Sequence, residues 1–205
     1  MPASNDSLNT RHVAETRAAL VRVGREMFST VGYHAASSDE IVTRARVSKG
    51  AMYHHFKSKR ELFEAVVIEV LSEYGTRLSK PRIKGADDWV RLIKLALRYL
   101  KAASADDAFR QVVLIDGPVV LGWVRWRKIQ WEVGPVGFEA ALENCMARGL
   151  IEPAPSKALA HTIIAAVSES VMFVAYANDR EVARKEMEGV VTTLMNGFRI
   201  RPPQN

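Results

Sequence analysis

The chain has 205 residues, 48% hydrophobic and 25% charged, which are the proportions of an average globular protein that can bury an ordinary apolar core. Its single cysteine, Cys145, excludes an intrachain disulfide framework and favours a reducing compartment. Residues 1–10 lack the basic start and apolar run of a secretory signal, and no uncharged apolar stretch reaches the roughly 18 residues of a membrane helix. We therefore expect a cytoplasmic protein without a membrane partner.

The positive charge is concentrated at the N-terminal end. Residues 1–60 contain ten Lys and Arg against five Asp and Glu, a net charge of +5 out of +6 for the whole chain. Such an asymmetry indicates a polyanionic partner for this part of the chain. A general nucleic-acid or membrane surface would need only the charge, whereas the ordered helix caps that follow indicate a specific fold.

Helical periodicity extends through nearly the whole chain, and no strand-like alternation is present. In a first helix over 11–30, Leu20, Met27 and Val31 lie on one stripe, and Gly32 is expected to end the helix. A short capped helix follows, and further helices are predicted over 49–56, 58–77, 87–104, 105–116, 122–148, 156–178 and 180–198. The clearest linker is 80–85.

Two short helices are predicted between the first helix and the long helix that starts at Ser58. Ser37 and Glu40 have the spacing of a capping box, and Ser48 is a good N-cap for the next helix. Small and basic residues, Lys49 and Gly50, follow that cap. This pattern is typical of a helix-turn-helix, whose second helix must bring its N-terminal end close to base edges.

The second short helix carries polar side chains suited to a duplex. Lys49 supplies a cation, and Gly50 permits a close backbone approach. Met52 and Phe56 are spaced to face a small core. Four side chains are expected to donate to phosphates beside the groove: Tyr53, His54, Lys57 and Lys59.

Residues 11–79 resemble the N-terminal domain of the TetR family of one-component regulators. The residues that carry the resemblance are, in order, Phe28, Gly32-Tyr33, Ile41, Val47-Ser48-Lys49-Gly50, Tyr53-His54-His55-Phe56, Lys59 and Leu62-Phe63. The resemblance implies an all-α dimer with an N-terminal three-helix helix-turn-helix domain and a C-terminal helical ligand-binding and dimerisation domain. By matching position it implies a DNA-facing set: Ser37, Ser48, Lys49, Gly50, Tyr53, His54, His55 and Lys59.

Two positions depart from the family pattern. Arg46 stands where the turn usually has glycine, and Ala36 stands where threonine is common. Arg46 must therefore take a positive φ or tilt the turn, and its side chain can itself reach a phosphate. The domain division implied is an arm (1–10), the helix-turn-helix domain (11–57), a connecting helix (58–80), the C-terminal domain (81–200) and a tail (201–205).

The C-terminal part is expected to hold a small, largely apolar or aromatic molecule. Gly117-Pro118 should interrupt the helical pattern and open a cleft, because proline lacks an N–H and disfavours helix in the residue before it. Concave apolar sites with a few polar groups bind such molecules, although aromatic residues at helical spacing are also usual in cores. The predicted ligand-binding set is Trp89, Tyr99, Phe109, Asp116, Trp123, Trp126, Gln130, Cys145 and Phe173.

The last two predicted helices are apolar on more than one face, with Leu159, Ile163 and Val167 on one stripe of the first. Helices of this kind must be buried on several sides, and two from each subunit would form a four-helix dimer interface. We predict a repressor that binds a double-stranded DNA operator as a homodimer and is released by a ligand. A constitutive or architectural DNA-binding dimer and an activator remain open.

No metal, cofactor or enzyme site is predicted from the sequence. His54-His55 has no second group of ligands at metal-binding spacing, and Cys145 on an apolar helix is expected to be a core residue rather than a redox sensor. The chain contains neither a phosphate-binding glycine loop nor a nucleophile elbow.

Overall fold

The computed structural model describes residues 4–78, 87–134 and 137–200, and the side chains of 4–9, 77 and 78 lie outside the description. The predicted linker (80–85) and tail (201–205) also lie outside the described residues. Within these ranges the secondary structure is helical apart from one isolated β-bridge between Ile151 and Arg199. The predicted all-α fold class is confirmed.

The helices follow one another in the order that the periodicity predicts. Ten are α-helical in the described part of the chain: α1 (Ser4–Ala35), α2 (Ser38–Ala45), α3 (Lys49–His55), α4 (Lys59–Leu78), α5 (Asp88–Ser104), α6 (Gly117–Leu121), α7 (Trp123–Val133), α8 (Phe138–Ala147), α9 (Ser156–Tyr176) and α10 (Arg180–Asn196). A π-helix, π1 (Phe109–Asp116), precedes α6.

Helices α1, α2 and α3 form a small unit on the N-terminal part of α4. Phe28 and Phe63 are fully buried and contact edge to face at 5.2 Å between ring centroids. Ile41 and Met52, from α2 and α3, are also fully buried. The apolar faces of these short helices are covered by α1 and by each other, which leaves their polar faces outside.

Gly32 interrupts α1 as the sequence predicts, with φ 78° and ψ 166°. Only glycine adopts this conformation at little cost, so the helix axis changes there. The start of α1 differs from the prediction: its backbone is helical from Ser4, so the segment 4–10 of the predicted arm continues the first helix.

The predicted break at Gly117-Pro118 is wrong in position and in form. Gly117 has helical dihedral angles, and the chain continues from π1 directly into α6. In the i→i+5 pattern of a π-helix, the carbonyl of Val113 faces residue 118, which as proline has no N–H. The indole Nε1 of Trp126 donates to that carbonyl at 2.7 Å. The widened turn thus accommodates the proline without ending the helix.

The single helix predicted over 122–148 is also wrong, since the structure divides it. Gly122 has φ 77° and separates α6 from α7. Helix α7 ends at Val133, and Gly137 with φ 82° stands before α8. Two glycines with a positive φ, Gly122 and Gly137, thus stand directly before α7 and α8, a signal that the apolar periodicity alone overlooks.

Helix α9 packs against α5, α8, α10 and π1. Ala160, Ile163 and Val171 are buried in these contacts. Among the described helices, α9 is the one that is long and apolar enough to cross a membrane by length and composition. Its packing on the neighbouring helices accounts for much of that apolar composition. The outer faces of α9 and α10 still expose large apolar side chains: Phe173, Tyr176, Val182, Val190 and Leu194.

Candidate nucleic-acid interface and ligand cavity

The turn between α2 and α3 is built on Arg46. This residue adopts a left-handed conformation, with φ 57° and ψ 41°, and its N–H donates to Thr43 O at 3.1 Å. Of the two alternatives that the sequence allowed, the positive φ is the one observed. The strain costs about 1 kcal/mol relative to glycine, and the exposed side chain is left directed to solvent beside α3.

Serine caps begin the three helices around the turn. Ser37 Oγ accepts from Asp39 N at 3.2 Å, one residue earlier than the Glu40 amide that the capping box predicts. Ser48 Oγ accepts from Ala51 N at 3.1 Å. Ser58 Oγ accepts from Glu61 N at 3.2 Å. Each cap contributes about 1 kcal/mol to helix stability and fixes where its helix starts.

The tip of α3 is exposed to solvent. Lys49 Nζ lies 2.6 Å from Asp39 Oδ1, and this hydrogen-bonded ion pair raises the pKa of Lys49. Tyr53 and His54 are exposed one turn further along. A Cβ added to Gly50 would meet only Ser48 Oγ, at 3.9 Å. Nothing in the described part of the protein therefore requires glycine at the tip of α3.

His55 and Lys57 lie at the far end of α3. His55 is half-buried, with its ring 5.6 Å from that of His54. Desolvation, followed by the charges of His54 and Arg17, lowers the pKa of His55. The side chain of Lys57 is exposed, while its backbone N–H donates to Glu61 Oε2 at 2.8 Å.

Lys59 does not extend toward the surface of α3. Its Nζ donates to Tyr33 O at 2.9 Å and to Ala36 O at 3.0 Å, and lies 4.3 Å from the centroid of the Tyr33 ring. These carbonyls belong to the end of α1, where helical carbonyls lack intrahelical partners. The predicted phosphate contact is replaced by a bond that ties α4 to the end of α1.

An apolar cavity of about 550 Å³ lies between α4, α5, α7, α8 and α9. Its polar lining residues include Ser72, Tyr99, Arg127, Gln130 and His161. The remaining lining side chains are mostly aliphatic or aromatic: Leu71, Tyr74, Leu92, Leu95, Ala96, Trp131, Val133, Phe138, Ala141, Ile163, Ile164 and Val167. Pockets of 300–1,000 Å³ with few polar groups are the usual sites for small ligands.

Of the predicted ligand-binding residues, only Tyr99 and Gln130 line this cavity. The structure does not bring the other seven to it: Trp89, Phe109, Asp116, Trp123, Trp126, Cys145 and Phe173. Most of the aromatic residues in this predicted set belong to the core instead. The sequence itself left this possibility open, because aromatic residues at helical spacing are also usual in cores.

Three of these seven residues are fully buried elsewhere. Phe109 lies behind the cavity wall, 4.3 Å from Tyr74 and 5.6 Å from Tyr99 between ring centroids. Trp89 and Cys145 have no exposed surface, and burial raises the pKa of the Cys145 thiol. They stabilise the walls rather than offering atoms to a ligand.

The other four lie at the junction with α1 or on the surface. Asp116 Oδ2 accepts from Tyr33 N at 2.8 Å, directly after the Gly32 kink, and Trp126 donates to π1 as described above. Trp123 and Phe173 are 61% and 48% exposed. Asp116 and Trp126 therefore hold helices together, and Trp123 and Phe173 lie on the surface, so none of the four belongs to an enclosed ligand site.

Sequence reasoning missed most of the cavity lining, including its two basic residues, Arg127 and His161. The Arg127 guanidinium lies 4.6 Å from the Trp123 ring and 4.7 Å from the Trp126 ring, and Nη1 donates to Gln130 Oε1 at 3.0 Å. Burial lowers the pKa of Arg127. The spacing of Arg127 and Gln130 on one helix face was the available signal, whereas nothing local indicates His161.

Helix α4 connects the α1–α3 unit with the cavity. At its start, Arg60 donates to Val120 O at 3.0 Å and to Leu121 O at 2.9 Å. One turn later, Glu64 pairs with Arg125 on α7. At its other end the helix supplies cavity-lining residues. Among the described residues, no His, Cys, Asp and Glu side chains are grouped as metal ligands would be.

The structure has a capped, exposed helix after a tight turn, and one long helix joins this unit to a bundle with an apolar cavity. This arrangement is that of the helix-turn-helix regulators. Residues 20–66 match the family described as "Bacterial regulatory proteins, tetR family", and residues 89–198 match "Tetracyclin repressor-like, C-terminal domain". The chain belongs to the TetR family of transcriptional regulators, which are DNA-binding proteins and not enzymes.

Individual relatives agree with this assignment. The Transposon Tn10 TetC protein of Escherichia coli is 29% identical over 128 residues, which are 62% of this chain and 64% of that protein. The transcriptional activator FasR of Mycolicibacterium smegmatis is 51% identical over 53 residues, 26% of this chain and 24% of that protein. The matches thus span less than two thirds of these curated relatives. A TetR-family regulator from Pectobacterium atrosepticum has 27% identity and a TM-score of 0.75, covering 94% of this chain and 98% of that structure.

Proposed function

We propose that the protein is a cytoplasmic repressor that binds a palindromic operator as a homodimer and is released when a small, largely apolar or aromatic molecule enters the cavity. The observation that carries the proposal is α4. This one helix is bonded to the end of α1 through Lys59 and lines the cavity through Leu71 and Tyr74.

At the DNA end, α3 would enter the major groove with its capped N-terminus. Lys49 and Gly50 would lie nearest the base edges, because Gly50 leaves space that no side chain of the protein fills. The exposed residues around α3 would supply donors for phosphates: Ser37, Arg46, Ser48, Tyr53, His54 and Lys57. His55 would support α3 from behind.

At the other end, a second copy would cover the outer faces of α9 and α10. Phe173 and Tyr176 on α9 and Leu194 on α10 are all more than 40% exposed. Symmetric packing of the two helix pairs would make a four-helix interface. Paired α3 helices would then read half-sites about 34–36 Å apart, one turn of DNA. We keep the division into 11–57, 58–80 and 81–200 as part of this proposal.

Ligand release would act through the contacts of α4. A molecule that shifts α7 or the cavity end of α4 also shifts Glu64–Arg125 and the bonds of Arg60 to α6. Those contacts lie beside Lys59, so the two α3 helices would change their separation. The coupling is reciprocal, and the ligand weakens DNA binding by the same factor by which DNA weakens ligand binding.

Two alternatives make different predictions. A constitutive or architectural dimer would not need the cavity, whose volume argues for a ligand. An activator would use the same DNA and ligand surfaces, and the printed name of the FasR relative is that of an activator. Transcription from a reporter with the operator inside or upstream of the promoter separates a repressor from an activator.

The experiment is a titration of fluorescent operator DNA with the full chain, with and without a compound found by thermal shift. A cavity ligand should stabilise the fold by about 2.7 kcal/mol at a hundredfold excess over its Kd. It should also weaken operator binding. Ala141→Phe fills the cavity and should retain operator binding but lose the response, whereas Ala147→Phe, exposed on the same helix, should keep both. Compounds that bind the cavity without changing operator affinity would contradict ligand release.

A further inference from the structure

Among the described residues that line the cavity, Arg127 is the one Lys, Arg, Asp or Glu side chain. The cavity therefore has a cation in its lining and no aspartate or glutamate among the described lining residues. The rest of the wall is aliphatic and aromatic. A cationic ligand would therefore find no counter-charge here, and an uncharged one would leave the guanidinium uncompensated.

Arg127 is a half-buried cation without a carboxylate partner among the described residues. Arg125, two residues earlier on the same helix, pairs with Glu64, so one helix carries both a paired arginine and one without a carboxylate partner among the described residues. The rings of Trp123 and Trp126 offset part of the desolvation of Arg127 through cation–π contacts. A partly desolvated cation is costly unless it is paired, so an anion is the missing partner.

Gln130 places further donors at the same point. Its Oε1 already accepts from Arg127 Nη1 at 3.0 Å, which leaves the two N–H groups of the amide for another partner. A guanidinium presents its donors in a planar fork that matches a carboxylate. Arg127 and Gln130 together thus offer several N–H donors in one part of the lining, where Gln130 Oε1 already accepts from Arg127.

The remaining wall suits a flat or extended apolar body. Trp131 stacks on His161 with the rings 4.5 Å apart and 3° from parallel. Phe138 and Ile164 add apolar surface to the same cavity. Such a wall favours a ring system or an alkyl chain attached to the anionic group.

We infer that the ligand is an organic acid with one carboxylate, bound by Arg127 and Gln130, and an apolar body lying against Trp131, Phe138 and the aliphatic wall. The inference rests on the proposed function only in taking this cavity as the ligand site. Beyond the proposed function, it specifies that the ligand is an anion and that Arg127 is the residue that selects for the anion.

The test compares acids with uncharged molecules of the same skeleton. Isothermal titration of the full chain uses 2-naphthoate against 2-naphthamide and decanoate against decanamide. At least one acid should bind about tenfold or more tightly than its amide, a difference of about 1.4 kcal/mol. Arg127→Gln should abolish this preference, and Arg127→Lys should keep part of it because the charge remains. Lys128→Gln removes a charge from the same helix outside the cavity and should change nothing.

The outcomes separate this inference from the proposed function. Equal or tighter binding of the amides, a preference that survives Arg127→Gln, or no binding of either acid at about 1 mM overturns the inference. If amides bind and release operator DNA, ligand release stands while the acid selectivity fails. If acids bind through Arg127 without altering operator affinity, the acid selectivity stands while ligand release fails. Melting curves of each variant confirm that it is folded.

Discussion

Lys57 and Lys59 are two residues apart, and the structure predicts opposite consequences when each is replaced by methionine. The Lys57 side chain is exposed at the end of α3, where a phosphate would lie. The Lys59 ammonium is bound to Tyr33 O and Ala36 O. Methionine keeps most of the aliphatic stem in both cases, so the comparison isolates the charged group.

The expected magnitudes follow from these contacts. Lys59→Met removes two charge-assisted hydrogen bonds and one cation–π contact, and partial access of water limits the loss to about 2 kcal/mol. For a chain of this size the melting temperature should fall by about 4–8 °C. Lys57→Met should change the free energy of unfolding by less than about 0.5 kcal/mol. It should instead reduce the slope of log Kd against log salt concentration by about 1.8, because a dimer carries two copies of this lysine and each contributes roughly 0.9 to the slope.

The assay is operator binding by fluorescence anisotropy at several salt concentrations, together with thermal denaturation of the same preparations. Lys57→Met should flatten the plot of log Kd against log salt concentration and leave the melting temperature unchanged. Lys59→Met should lower the melting temperature and leave the slope of that plot unchanged. A flatter slope with an unchanged melting temperature for Lys59→Met would refute the assignment of this lysine to α1.

Three further substitutions test other parts of the structure. Gly50→Ala should stabilise the fold by about 0.5–1 kcal/mol while weakening operator binding, as measured by melting and anisotropy; undiminished affinity would contradict close approach of α3 to the bases. Gly117→Ala should lower the free energy of unfolding by about 1–3 kcal/mol in denaturant titrations, because the new Cβ would lie 2.7 Å from Trp126 Cδ1; a neutral effect would disprove this packing. Phe173→Glu should give monomers in sedimentation, whereas Val119→Glu, at an exposed position of α6, should not. A Phe173→Glu dimer would exclude this part of α9 from the interface.

The parts of the fold that the sequence predicts are those with local causes. Ser48 and Ser58 start helices because their hydroxyls accept from the amide three residues further on, and no distant residue is needed. Gly32 ends the regular part of α1 for a similarly local reason. The Gly117-Pro118 prediction failed because a side chain of the following helix α7, Trp126, donates to the carbonyl that the proline leaves without a donor.

The exposure of a candidate residue could be predicted where it depends on one segment, whereas the lining of the cavity could not, because several segments meet there. The exposed positions around Lys49 and Gly50 follow from helix phase alone. The structural role of Lys59 could not be predicted, since the two carbonyls that its ammonium binds lie at the end of another helix. The cavity is assembled from separate helices, so neither periodicity nor composition distinguishes Gln130, which lines it, from Trp126, which does not.

The most direct test of the account is selection of binding sites from a random DNA library with the full-length protein, followed by sequencing. A symmetric dimer with one α3 in each major groove should enrich a palindrome whose half-sites are centred about 10 base pairs apart or at a multiple of that distance. Lys49→Ala should blur the bases at the centre of each half-site while leaving their spacing intact. Enrichment of a single asymmetric half-site, or no enrichment over bulk DNA, would contradict the dimeric helix-turn-helix mode of binding.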